Sequence, residues 1–84
     1  MRLLWEERAW QEYCYWQIND KKMLKRINIL ITDIQRNAFI GIGKPEPLKK
    51  NLSGWWSRRI NDEHRIVYKR EENSIIIASC KSHY

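Results

Sequence analysis

Glu46 stands between Pro45 and Pro47, with Lys44, Lys49 and Lys50 close by in sequence. Each proline fixes its own φ, so the carboxylate rides on a stiff backbone and loses little freedom when it is put to use. The neighbouring cations are expected to lower its pKa and keep it ionised. A rigid, ionised carboxylate in a basic cleft can accept a proton from a ribose 2′-hydroxyl, while a loop salt bridge that neutralises the lysines is its plainer role. His83, next to last in the chain, offers an imidazole that titrates near about 6.5 and can donate a proton to a leaving 5′-oxygen. Chain ends usually fray, but the strand-like run Ser74 to Cys80 can carry this one across a sheet and pin it. Metal-free cleavage of RNA needs a base, an acid and a cation for the charge that develops on phosphorus. Glu46, His83 and one of Arg59 or Arg65 would fill those posts, although any basic domain with a Glu and a His could be read this way. His64 competes for the acid's role, but its place after a turn, between Glu63 and Arg65, suits a local pairing at a strand start. Asp62 and Glu63 read as solvated turn residues.

The charge balance points to the same class of substrate. Lys and Arg total 16 against 10 Asp and Glu, a net +6, and the excess is uneven. Residues 44–60 hold Lys44, Lys49, Lys50, Arg58 and Arg59 against the single acid Glu46. A basic stripe of this kind suits a polyanion, because it releases counterions and steers the encounter. A solvated face that keeps a small protein soluble would look the same. Trp55, Trp56 and Tyr84 near the stripe favour nucleic acid, since bases stack on such rings, although the two tryptophans also suit a core.

Other chemistries lack their signatures. The only glycines are Gly41, Gly43 and Gly54, which excludes P-loop and dinucleotide fingerprints. Cys14 and Cys80 form no C-x-x-C pair, and two histidines, His64 and His83, leave no zinc spacing. Both cysteines read as small buried apolar residues and the compartment as reducing cytoplasm. No run of about 18 apolar residues is present to span a membrane, and Glu6 and Glu7 interrupt any signal-peptide core.

The elements that must position these groups fit one small domain of 84 residues. Five Trp, four Tyr and one Phe supply buried area at low torsional cost. Residues 1–5 read as a short strand. From Glu6 to about Ile18, Ala9, Trp10, Tyr13 and Cys14 recur at helical spacing, with acids in the first turn where the helix dipole favours them. Asn19 or Asp20 can cap a second helix whose buried stripe is Met23, Leu24, Ile27, Leu30, Ile31 and Ile34. The tight connection predicts an antiparallel helical hairpin. Residues 38–54 hold all three glycines and both prolines and read as a loop. Trp55–Ile60, Arg65–Arg70 and Ser74–Cys80 follow as a three-stranded meander. With the N-terminal strand this makes an α+β domain, the hairpin packed on one face of the sheet.

The longer motifs carry a resemblance. Gly43-Lys44-Pro45-Glu46-Pro47-Leu48-Lys49, Asn51-Leu52-Ser53-Gly54-Trp55-Trp56-Ser57-Arg58-Arg59-Ile60, Glu63-His64-Arg65-Ile66-Val67-Tyr68 and the close Cys80-Lys81-Ser82-His83-Tyr84 together resemble the YoeB toxins. These belong to the RelE/ParE superfamily of bacterial toxin–antitoxin systems, and the resemblance runs the whole length of residues 1–84. It implies a microbial-ribonuclease-like (RelE-like) fold, two helices against an antiparallel sheet, and an endoribonuclease that cuts mRNA in the ribosomal A site and arrests translation. Carried over by position, Glu46 is the general base, His83 the general acid, and Arg65 stabilises the developing phosphorane. Arg59, Lys49 and Tyr84 match positions that hold the phosphate or stack on the base, and Lys44 joins them on charge alone. The implied partners are the ribosome and its mRNA and a YefM-type antitoxin, with no cofactor; the resemblance admits a homodimer as well as a monomer. Lys81 and Ser82, beside His83, depart from the family's more frequent residues. A non-catalytic RNA- or ribosome-binding module would explain the charge but not these motifs. A ParE-like toxin that poisons gyrase shares the fold but lacks the Glu, Arg and His set.

Overall fold

A computed structural model describes residues 1–82. In chain order the elements are β1 (Arg2–Trp5), α1 (Glu7–Asn19), α2 (Lys21–Arg36), β2 (Glu46–Pro47), a 3-10 turn (Lys50–Leu52), β3 (Trp56–Arg59), β4 (Arg65–Glu71) and β5 (Ser74–Ser79). The five strands form one sheet in the order β1-β5-β4-β3-β2. The meander β3-β4-β5 is antiparallel, as its short turns require, but β1 joins β5 in parallel, so the expected antiparallel sheet is corrected to a mixed one: the long helical hairpin between β1 and the meander allows the parallel crossover. This is the α+β arrangement the residue pattern predicts.

Asp20 alone separates the two helices, and it is Asp20 rather than Asn19 that caps α2, its Oδ1 accepting from the N–H groups of Lys22 and Met23. The Tyr13 hydroxyl donates to Asn28 Oδ1 at 2.6 Å, seven residues before Asp20 and eight after it, as an antiparallel hairpin demands. The α2 stripe is buried as expected, with Leu24 half-covered at its edge. The broad stripe of α1 resolves differently. Ala9 and Trp16 are buried, while Trp10 is half exposed, edge-on to Trp5 and tilted against Tyr13. Both helices pack over Ile66 and Tyr68 of β4 and Ile75 and Ile77 of β5.

Two further expectations are corrected. Residues 46 and 47 are a strand, not loop: β2 pairs with β3, Glu46 opposite Ser57 and Pro47 opposite Trp56. An edge strand tolerates proline, because a missing N–H on its outer side leaves no ladder bond unmade. Arg58, counted in the basic stripe, is fully buried. Residues paired across an antiparallel ladder share a face. Arg58 lies opposite Ile66, and therefore points to the helix side. Its five N–H groups are all used: Nε on the Tyr68 hydroxyl, Nη1 on Asp33 Oδ2 and the Ile42 carbonyl, Nη2 on the carbonyls of Asn37 and Ile40. Tyr68 in turn donates to the Ala38 carbonyl at 2.6 Å. One guanidinium thus fastens loop 37–42 to the sheet. The loop closes so tightly over it that a Cβ on Gly41 (φ +145°) would collide with Asp33 Oδ2.

Arg58 and the Ile42 N–H hold the Asp33 carboxyl below the usual carboxylate range. A carboxyl with a lowered folded-state pKa contributes stability that is complete above its unfolded value, about 3.9, and fades as pH falls through the folded one. Thermal unfolding between neutral pH and pH 3 should therefore show an acid-side fall in Tm that is shallower in Asp33→Asn. Parallel curves for the two proteins would exclude Asp33 as its source.

Candidate active site

The ladder register sorts the candidate residues by face. Glu46 pairs with Ser57, Ser57 with Val67, and Arg59 with Arg65, so all five share the face that the helices leave open. Ser57 and Val67 are buried and form its floor. Glu46 and Arg59 are exposed and Arg65 is half buried around it. Neighbouring strands lie about 4.8 Å apart and alternate residues about 6.8 Å, which sets the backbones of Glu46 and Arg65 roughly 12 Å apart. Two long side chains leaning inward across that gap can hold a phosphate and the ribose next to it.

Each group is placed by a local cause. Gly43, at φ +78°, leads into β2; its carbonyl accepts from the Arg59 N–H at 2.6 Å, and a Cβ there would lie 2.9 Å from Leu30 Cδ2. Lys44 follows in the left-handed region at φ 53° and is exposed, as is Lys49 beyond β2. The Leu48 N–H donates to the Trp55 carbonyl and closes the hairpin behind Glu46. Among the described residues Glu46, Lys44, Lys49 and Arg59 make no ion pair. The salt bridge that would have made Glu46 a neutraliser of lysines is therefore absent among those residues. Arg65 spends Nη1 on the carbonyls of Asn61, Asp62 and His64, which locks its stem against the β3–β4 turn. Its Nε and Nη2 donate to nothing among the described residues.

The two tryptophans part company. Trp55 is half buried, with Lys69 Nζ 5.6 Å above its ring. Trp56 packs against the core and Phe39 on the other side of the sheet. Only Trp55 is placed to stack on a ligand at the open face.

His83 and Tyr84 lie outside the described residues, but the chain leading to them is well fastened. The Cys80 N–H donates to Glu12 Oε1 at 2.8 Å, and Trp16 Nε1 donates to the Cys80 carbonyl at 2.9 Å. The Ser82 carbonyl accepts from the Arg65 N–H at 3.1 Å, which brings the tail alongside the start of β4. Burial, with Glu12 nearby, pushes the Cys80 thiol up to about 12, so it stays a protonated, unreactive core group. Cys14 is half buried rather than buried, and both cysteines are free. His64 is the residue whose surroundings sequence reasoning missed. It is buried at the turn, its ring edge on Trp16, and its Nδ1 accepts from the Ser82 N–H. Its expected local partner, Glu63, lies 3.7 Å from Nε2. Glu12, Trp16 and His64 reach partners 18 to 68 residues away, a separation no local pattern reveals.

The model of the YoeB-like toxins of bacterial type II toxin–antitoxin systems matches residues 5–84. The chain is 56% identical to Toxin YoeB of Escherichia coli (strain K12) over 84 residues, covering all of both chains. Among solved structures, the YoeB dimer from Staphylococcus aureus is 55% identical with a TM-score of 0.94, over 100% of this chain and 98% of that one. The heterotetrameric YoeB–YefM toxin–antitoxin complex from the same organism contains a chain 55% identical, with a TM-score of 0.93 and the same coverage.

Proposed function

Because the chain belongs to the family of YoeB-like toxins of bacterial type II toxin–antitoxin systems, we propose that it is a ribosome-dependent endoribonuclease that cuts mRNA in the A site and stops translation. The observation that carries this reading is the register that gathers Glu46, Arg59 and Arg65 on one open sheet face beside the tail. Glu46 takes the proton of a ribose 2′-hydroxyl, and the oxygen attacks the adjacent phosphorus. Arg65 meets the negative charge that builds on the phosphorane through Nε and Nη2, which donate to nothing among the described residues. His83 gives a proton to the 5′-oxygen as that bond breaks, leaving a cyclic phosphate on one fragment and a free hydroxyl on the other. Lys44, Lys49, Arg59 and Tyr84 hold the flanking phosphates and stack on the base. No metal is assigned a part, since side chains supply base, acid and cation.

A YefM-type antitoxin is the proposed partner, as in the Staphylococcus aureus complex, and a second copy is another, as in the dimer from that organism. A +6 surface suits an acidic partner segment. No helix among the described residues is long and apolar enough to cross a membrane, and we assign the protein to the cytoplasm, where its substrate is made.

The candidate cations Lys44, Lys49 and Arg59 are exposed and held by no ion pair among the described residues, so positioning must come in part from the ribosome. Cleavage on translating ribosomes should exceed that of the same naked message by at least about 10²-fold, within the range that orientation alone supplies. Mapping mRNA ends in a reconstituted translation reaction, with and without ribosomes, tests both claims. New ends at the A-site codon support the reading. Equal rates on naked message would remove the ribosome dependence, and intact message with translation still blocked would replace cleavage by occupancy.

A further inference from the structure

We propose that His64 is a positioning residue that clamps the end of the chain through an unprotonated Nδ1. Ser82, the last described residue, has both sides of its backbone held: its N–H donates to His64 Nδ1 at 2.7 Å, and its carbonyl accepts from the Arg65 N–H at 3.1 Å. An imidazole nitrogen that accepts a peptide N–H carries a lone pair, so the ring bears its proton on Nε2. Ser82 adopts φ +66°, a left-handed conformation that a serine keeps only where its surroundings over-determine it. The clamp provides that constraint at the residue from which the chain runs into His83. The inference therefore rests on the cleavage reading, in which His83 is the acid.

The ring itself is fixed from several sides. The His64 backbone N–H donates to Asn61 Oδ1 at 2.7 Å, and its carbonyl accepts from the Ile60 N–H at 2.9 Å. From α1 the neighbour is the uncharged ring of Trp16, whose Nε1 also holds the Cys80 carbonyl, with Glu12 engaged on the Cys80 N–H. From the turn, the Glu63 carboxylate faces Nε2 at 3.7 Å. From β4, Arg65 is occupied with the His64 carbonyl, and from the tail Lys81 places Nζ 4.9 Å over the Tyr15 ring. Protonation would put a second donor against the Ser82 N–H, and the clamp would open.

Three full-length proteins test this: the wild type, His64→Asn, whose Oδ1 sits where Nδ1 does, and His64→Leu, which fills comparable space with no acceptor. Both variants lose the imidazole edge on Trp16, so their difference reads the acceptor. In His64→Leu the Ser82 amide should lose its downfield NMR position, and kcat on programmed ribosomes should fall about five- to tenfold with KM unchanged, the effect of one ordinary hydrogen bond. His64→Asn should keep the Ser82 amide near its wild-type position and kcat within about twofold of the wild type. Should the leucine variant fail to fold, His64→Gln, with its acceptor at the Nε2 position, replaces it. A wild type that cleaves while the two variants match each other in amide position and kcat overturns the clamp. A wild type that cleaves nothing, with the variants still separated at the Ser82 amide, supports the clamp and overturns the cleavage reading alone.

Discussion

Glu46→Gln is expected to lower the rate of A-site cleavage by about 10²- to 10⁴-fold, the range that one positioned proton acceptor supplies. Glutamine keeps the length and the planar end of the side chain but cannot take a proton at neutral pH. The fold has nothing to lose by the change. Glu46 is exposed and makes no ion pair among the described residues, and its placement comes from the backbone, paired with Ser57 and bracketed by two prolines. Stability should therefore stay within about 0.5 kcal/mol of the wild type, as for most surface substitutions. Single-turnover kinetics on programmed ribosomes, with denaturant unfolding of the same preparations, separate the two quantities. A variant that cuts at the wild-type rate would move the base elsewhere. A variant that no longer binds the ribosome would make Glu46 a docking residue.

How much of this was legible in the sequence depends on the distance over which each feature acts. The α2 stripe was plain, because residues three and four apart answer to the same core and Asp20 caps the turn before them. The meander was plain for the same reason: its turns are short and its strands adjacent. The open face was half legible. Glu46, Arg59 and Arg65 stand out by type, but only the register sets them on one side, and β2 hid behind prolines that a loop and an edge strand tolerate equally. The tail was the least legible, since its fastenings to Glu12, Trp16 and His64 join parts of the chain that no local spacing relates. Arg58 is the instructive case. Trp56 and Ile60 alternate with it as inward residues, and that period of two already directs its side chain into the core. Charge alone had put it on the surface with Arg59, its neighbour in sequence and its opposite in direction.

Arg58→Met should therefore cost about 3–5 kcal/mol, because a fully buried guanidinium is lost and its partners, the partly exposed Asp33 among them, are left without donors. For a domain of this size about 1 kcal/mol moves Tm by 4–8 °C, so the fall should be roughly 12–40 °C. Methionine fills most of the space but leaves Asp33 and the carbonyls of Asn37, Ile40 and Ile42 facing it without donors. Arg58→Lys should recover only part of the loss, because three donors on one ammonium cannot reach acceptors spread around a planar fork. Asp33→Asn should be milder than Arg58→Met, since the guanidinium keeps its other acceptors. Calorimetric unfolding of the three variants gives the ranking, and an Arg58→Met within 1 kcal/mol of the wild type would show that the network contributes little. The consequence reaches the open face. Loop 37–42 runs through Gly43 into β2, and the Gly43 carbonyl is tied to Arg59, so a loosened loop frees the strand that carries Glu46. Under conditions where Arg58→Met is still folded, its cleavage rate should fall below that of the wild type although Arg58 never meets the RNA. Arg58→Lys should stand between them, activity following the retained hydrogen bonds rather than the retained charge.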